Sequence, residues 1–247
     1  MRRHAALLLL LASLVALTVW TTSLGRVGFF TMAPPTKLLA ASRQHLEIVL
    51  IAELCAVTAG IPIGLILSRR SFRRGAPILS AVTSVGQTVP TLALVGIFSI
   101  LMGLGLRSAI VALGVYTLLP IVRNTYAGLV SADPAVKEAA RGMGMSTQQI
   151  LWRVEMPLAM PMIMAGIRTS TVLNVGSAAV AGMIGAGGLG EIIMTGVSLR
   201  LVEMVLQGAA PTAALAISLD KVLEIVASQA VPRGLRRSLR RSDARST

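Results

Sequence analysis

The sequence predicts an all-α fold, a polytopic membrane helix bundle of about six spans. Of its 247 residues, 54% are hydrophobic and only 13% charged, where a soluble domain carries about 25% charged residues. Mean hydropathy is +0.77, and the apolar residues fall in runs long enough to cross about 30 Å of hydrocarbon. A net charge of +13 in a soluble protein would suggest nucleic acid. Here Lys and Arg sit in short blocks beside apolar runs, as the positive-inside rule expects, and aromatics at 3% are too few for base-stacking surfaces.

The first span is expected from Ala5 to Trp20, behind a basic start, and no convincing signal-cleavage site follows it. Residues 25–43, with Pro34 and Pro35, form an outer connector. The second span covers 46–67 and ends in Arg69, Arg70, Arg73 and Arg74. The third covers 77–102 with Pro90 inside, the fourth 108–129 with Pro120 inside. The fifth occupies 162–184, residues 185–200 make a glycine-rich outer turn, and the sixth runs over 204–227 into a basic tail. With both termini cytoplasmic, about 18 of the basic residues lie at inner ends and about five outside. Five spans plus a cleaved signal is the alternative count. The expected organisation is an N-terminal span and connector (1–45), a transmembrane domain (46–230) and a basic cytoplasmic tail (231–247). The single Cys55 lies in an apolar run, which excludes an intrachain disulfide and makes a structural thiol the default.

Residues 133–157 interrupt the apolar pattern. Asp133 is an N-cap residue with Pro134 at the first helical position. Gly142 and Gly144 supply a stop, since glycine tolerates the left-handed conformation at a helix C-terminus. Ser146 and Gln149 have capping-box spacing, so a second helix starts there and runs to Pro157. A capped helical hairpin outside the membrane is shaped for docking onto a partner.

Glu138-Ala139-Ala140, three residues, Gly144, nine residues, Val154, one residue, Met156-Pro157: this spacing resembles the EAA signature of the membrane subunits of binding-protein-dependent ABC importers, with Val154 and Met156 in place of Ile and Leu. VGQTVPTLALVGI, RGMGMSTQQILWRVEMPLAMPMIMAGIRTSTV and IGAGGLG are similar to the osmoprotectant group, which takes up glycine betaine, choline and carnitine. The resemblance implies a type I ABC importer transmembrane domain whose loop docks on an ATPase subunit. On it, Glu138, Ala139, Ala140, Gly144 and Pro157 are the coupling residues. It also implies a dimer of ATPase subunits holding ATP and Mg, a second permease copy or sister permease, and a separate extracytoplasmic solute-binding protein. The location implied is a bacterial cytoplasmic membrane.

No G-x-x-x-x-G-K-[ST] stretch exists, so ATP would be bound by a partner chain and no cofactor by this one. Gly185, Gly187 and Gly190 spell G-x-G-x-x-G, but they follow a span rather than a strand, and a close-packed turn is the better reading. Glu53, an intramembrane carboxylate, is a functional candidate by default. With Gln87, Thr88, Asn174 and Ser177 it can line a translocation path, and interhelical hydrogen bonding explains these residues equally well. Lys221 and Glu224 are spaced to pair, and Arg168 reads as a headgroup anchor. An intramembrane enzyme lacks clustered His and carboxylates or a nucleophile elbow. An ion-coupled secondary transporter would usually show repeats. A permease for another small solute such as an amino acid is the nearer alternative.

Overall fold

A computed structural model describes residues 33–69, 86 and 88–230. The expected first span, the basic tail and Gln87 lie outside the described residues, which contain helices and no strands. α1 (Pro35–Leu67) opens with Pro34 extended and Pro35 in its first turn, where a missing N–H costs no hydrogen bond. The second half of the expected connector, residues 35–43, is therefore helical. After Pro90, also extended, comes α2 (Thr91–Met102). Pro90, expected inside the third span, stands instead at a helix start, because a proline disfavours the α conformation in the residue before it. Gly103 and Gly105, both at positive φ, turn the chain into α3 (Leu106–Val130).

The polar segment forms α4 (Pro134–Gly142) and α5 (Thr147–Ile150). A π-helical turn (Leu151–Glu155) carries α5 without a break into α6 (Met156–Ala178). Pro157 thus does not end a helix, as expected, but begins one. In the wide turn Met156 N–H donates to Leu151 O, five residues back, a register that accommodates a residue with no N–H of its own. A 3₁₀ turn (Val180–Ile184) and three left-handed glycines, Gly185, Gly187 and Gly188, follow. The expected outer turn then proves to contain a helix, α7 (Leu189–Leu199). Leu189 and Ile192 on its apolar face pack with Leu38 of α1 and Met204, which gives this short segment the burial that a free turn lacks. α8 (Val202–Ala230) completes the chain.

α1, α3, α6 with its lead-in, and α8 are long and apolar enough to cross a membrane; α2 and α7 are shorter apolar helices. Glycines set how closely the first three approach. A Cβ at Gly60 would meet Ile121 Cγ2 at 2.9 Å, and one at Gly64 would meet Thr125 Cβ at 2.7 Å, so α1 packs backbone-close on α3. Gly166 sits likewise against Asn124 and the Pro120 carbonyl, closing α3 on α6. Small residues play this part in membranes because lipid tails remove the hydrophobic drive between helices. Ile48, Val49, Ala52, Leu113, Val175 and Ala178 fill the core at one end; Leu129, Ala159 and Ile163 fill it near the hairpin. Much apolar surface faces outward, Ile100 at 85% and Leu104 at 79% exposure, as suits lipid and partner chains rather than water. Cys55 is on this exposed face of α1, not in the core.

Candidate functional site

The hairpin keeps the local chemistry its sequence announces. Asp133 Oδ1 accepts from Ala135 N at 2.8 Å. Gly144 adopts φ 78°, and across it Gly144 N donates to Arg141 O at 2.9 Å and Met145 N to Ala140 O at 3.2 Å. Ser146 Oγ accepts from Gln149 N, and Gln149 Oε1 from Ser146 N at 2.8 Å, which completes the capping box. The turn is thus fixed by backbone and capping bonds.

The alanines of the Glu138-Ala139-Ala140 stretch face opposite ways. Ala140 is buried against the subunit, whereas Ala139 is exposed. Val136, Ala139 and Met143, spaced by three and four, make an exposed apolar strip on α4. Glu138 and Arg141 pair beside it at 2.7 Å, both well exposed. A partner docking here meets a small apolar ridge with one charge of each sign at its edge. Exposed Trp152 stands on the π turn. Glu155 ends that turn, and sequence reasoning did not single it out: one carboxylate oxygen takes Arg69 Nη2 at 3.2 Å and the other Lys137 Nζ at 3.3 Å. Its position two residues before Pro157, with basic residues expected at the same membrane face, was the available signal.

Of the path candidates, Glu53 and Asn174 are buried inside the chain. Glu53 Oε2 accepts from Ser170 Oγ at 3.1 Å and Asn174 Nδ2 at 3.2 Å. Ser170 Oγ also lies 2.9 Å from Thr117 O, an alternative acceptor for its one proton, and Asn174 Nδ2 donates to Val49 O. This polar knot joins α1, α3 and α6. Ser177 Oγ lies 3.4 Å from Thr91 Oγ1, linking α6 to α2, and Thr88 is exposed.

Arg168 is not a lone anchor. Its Nε and Nη2 donate to both oxygens of Asp220 at 2.8 and 2.9 Å, tying α6 to α8; Lys221 pairs with Glu224 at 2.9 Å as expected. The Arg168–Asp220 pair borders an open cavity of about 500 Å³ lined also by Ala165, Thr169, Val172 and Leu173. At the other end of the bundle, Gln44 of α1 holds the glycine turn and His45 ties α1 to α6. Gln44 donates to Ala186 O and accepts from Gly188 N, and His45 Nε2 donates to Val175 O at 3.0 Å. A Cβ at Gly187 would run into the Gln44 side chain, and one at Gly190 into the Ala179 backbone. The G-x-G-x-x-G is a packed turn.

Residues 60–233 match the family model described as the binding-protein-dependent transport system inner membrane component. The chain belongs to this family. The permease is 40% identical over 201 residues to the choline transport system permease protein OpuBB of Bacillus subtilis, covering 81% of this chain and 92% of that protein. It is 38% identical over 224 residues to the osmoprotectant import permease protein OsmY of Salmonella typhimurium, covering 90% and 93%. The fold is shared with a chain of the MetNI methionine ABC transporter in an inward-facing conformation, at a TM-score of 0.70 and 21% identity over 79% of this chain and 97% of that one.

Proposed function

We propose that this permease forms half of the pore of an ATP-driven importer for a compact quaternary-ammonium solute such as glycine betaine, choline or carnitine. The observation that carries the coupling role is the hairpin: the spaced Glu138-to-Pro157 pattern folds into a rigid, doubly capped turn that holds an apolar strip outward. The small ridge of Val136, Ala139 and Met143 suits a groove on an ATPase subunit, while Gly144 holds the turn and Pro157 begins the span that moves. ATP and Mg then belong to that partner, and this chain catalyses nothing itself. The quaternary-ammonium class is favoured by the names of the relatives at about 40% identity. Aromatic cages usually recognise such cations, and the spans are poor in aromatics, so a separate extracytoplasmic binding protein is the selective component.

The exposed stripe of α6, Met162, Ala165, Thr169, Val172, Leu173 and Gly176, faces a second permease copy or sister permease across the path. On this reading Thr88, which is exposed, and Ser177 border the route. Glu53 and Asn174 hold the helices together from within. The hairpin lies on the cytoplasmic side of a bacterial inner membrane, with both termini on that side.

Purified with its ATPase and binding protein and placed in liposomes, the complex should take up a labelled quaternary-ammonium solute only when ATP is supplied on the hairpin side. Uptake driven by an ion gradient without ATP would overturn the proposal in favour of a secondary transporter. Exchanging the binding protein should change the solute taken up; an unchanged preference would locate selectivity in this chain.

A further inference from the structure

Three elements meet at one carboxylate at the base of the hairpin, and a fourth is joined through one of its partners. Glu155 closes the π turn and binds Arg69, just past the end of α1, through one oxygen and Lys137 of α4 through the other. Lys137 Nζ also donates to Leu129 O, in the last turn of α3, at 3.3 Å. The side chains are sheltered, Glu155 at 13% exposure, Lys137 at 20% and Arg69 at 33%, so water and salt screen them less than a surface pair. Among the described residues, buried Ala140 and these bonds of Lys137 hold α4 on the bundle.

The backbone at this point leaves the α-helical register of the α5–α6 rod. Met156 bonds five residues back, and Pro157 offers no N–H to the carbonyls behind it. A wide turn of this kind can change register, which lets a displaced hairpin bend the rod instead of moving the span. A carboxylate bridging Lys137 on one side of that turn and Arg69 on the other braces it.

We propose that Glu155 is a positioning residue for coupled transport: a strut across the π turn that converts movement of the docked hairpin into movement of α6 and α1. The proposal rests on the coupling role given above for the hairpin. Lys137 is the strut's contact on the hairpin and Arg69 its contact on the bundle. The ATPase-facing strip, Val136, Ala139 and Met143, takes no part in it.

The test is the amount of solute moved per ATP hydrolysed by the reconstituted complex, a ratio that is insensitive to how much complex assembles. Glu155→Gln should bind the ATPase and support solute-stimulated hydrolysis as the unsubstituted complex does. Its ratio should fall about five- to tenfold, the size expected for losing sheltered charge-assisted bonds. Glu155→Asp should recover part of the ratio. Lys137→Met, which leaves the π turn's own residues untouched, should show the same fall, and the Lys137→Met/Glu155→Gln double variant no further one. An unchanged ratio in Glu155→Gln and Lys137→Met, or full additivity in the double variant, overturns the strut. So does loss of ATPase binding with an unchanged ratio, which would make Glu155 a docking residue. Failure of the hairpin's coupling role is separately visible, since the unsubstituted complex would then show no ATP-dependent uptake.

Discussion

Gly144→Ala tests whether the hairpin docks as a preformed shape. Gly144 sits at φ 78° with open space around its Cα, so a methyl group meets no neighbour and its effect is conformational. Holding an L-residue in the left-handed region costs about 1–2 kcal/mol. If docking requires this turn, that energy is lost from binding, and at about 1.4 kcal/mol per factor of ten the ATPase should bind roughly 5- to 30-fold more weakly. Gly142→Ala is the matched control. Gly142 is the last residue of α4, also has nothing within 4 Å of a built Cβ, and has no positive φ. Alanine there should be neutral or favourable by up to about 1 kcal/mol through helix propensity. Affinity of the labelled ATPase for the permease in nanodiscs, followed by ATP-dependent uptake, reads the difference. Equal affinities for the two variants would refute the preformed-turn reasoning.

Gly64→Val should destabilise the α1–α3 contact by at least about 1–3 kcal/mol through overpacking, because the added atoms meet Thr125 and the Val122 carbonyl at 2.7–2.9 Å. Gly96→Val, with nothing within 4 Å, should leave detergent thermostability unchanged. Asn174→Leu removes the donor to Val49 O and to Glu53 and should lower thermostability by about 0.5–2 kcal/mol. The KM for solute should stay constant, and a shift in solute preference would place Asn174 on the path instead. Arg168→Met and Asp220→Leu should each be more harmful than the double replacement suggests by addition. A double-mutant cycle on thermal stability should give a coupling of about 1–3 kcal/mol; additive losses would mean that the bidentate pair contributes little.

The class, the spans and the hairpin were legible from sequence because they depend on local rules. Apolar run length against hydrocarbon thickness marked the helices over 108–129 and 204–227 to within a turn of α3 and α8, and the end but not the start of α1, whose first eleven residues were read as connector and span edge. Asp133, Gly144 and the Ser146–Gln149 box act over three or four residues, and each appears in the structure with the bond its side chain or backbone predicts. What needed the tertiary structure was every feature in which distant residues meet. Pro157 reads locally as a stop, but Met156 bonding back to Leu151 lets the rod continue. Residues 189–199 are too short and too near glycines to announce a helix, yet burial against Leu38 and Met204 makes one. Glu53 has no local sign of its partners, Ser170 and Asn174, which stand 117 and 121 residues away. The hairpin itself was similarly half visible. Sequence determined its caps and spacing, because those are set within a helical turn. Only packing decided that Ala139 faces outward, Ala140 inward, and that Glu155 gathers Lys137 and Arg69, because side-chain direction depends on which helices close around it.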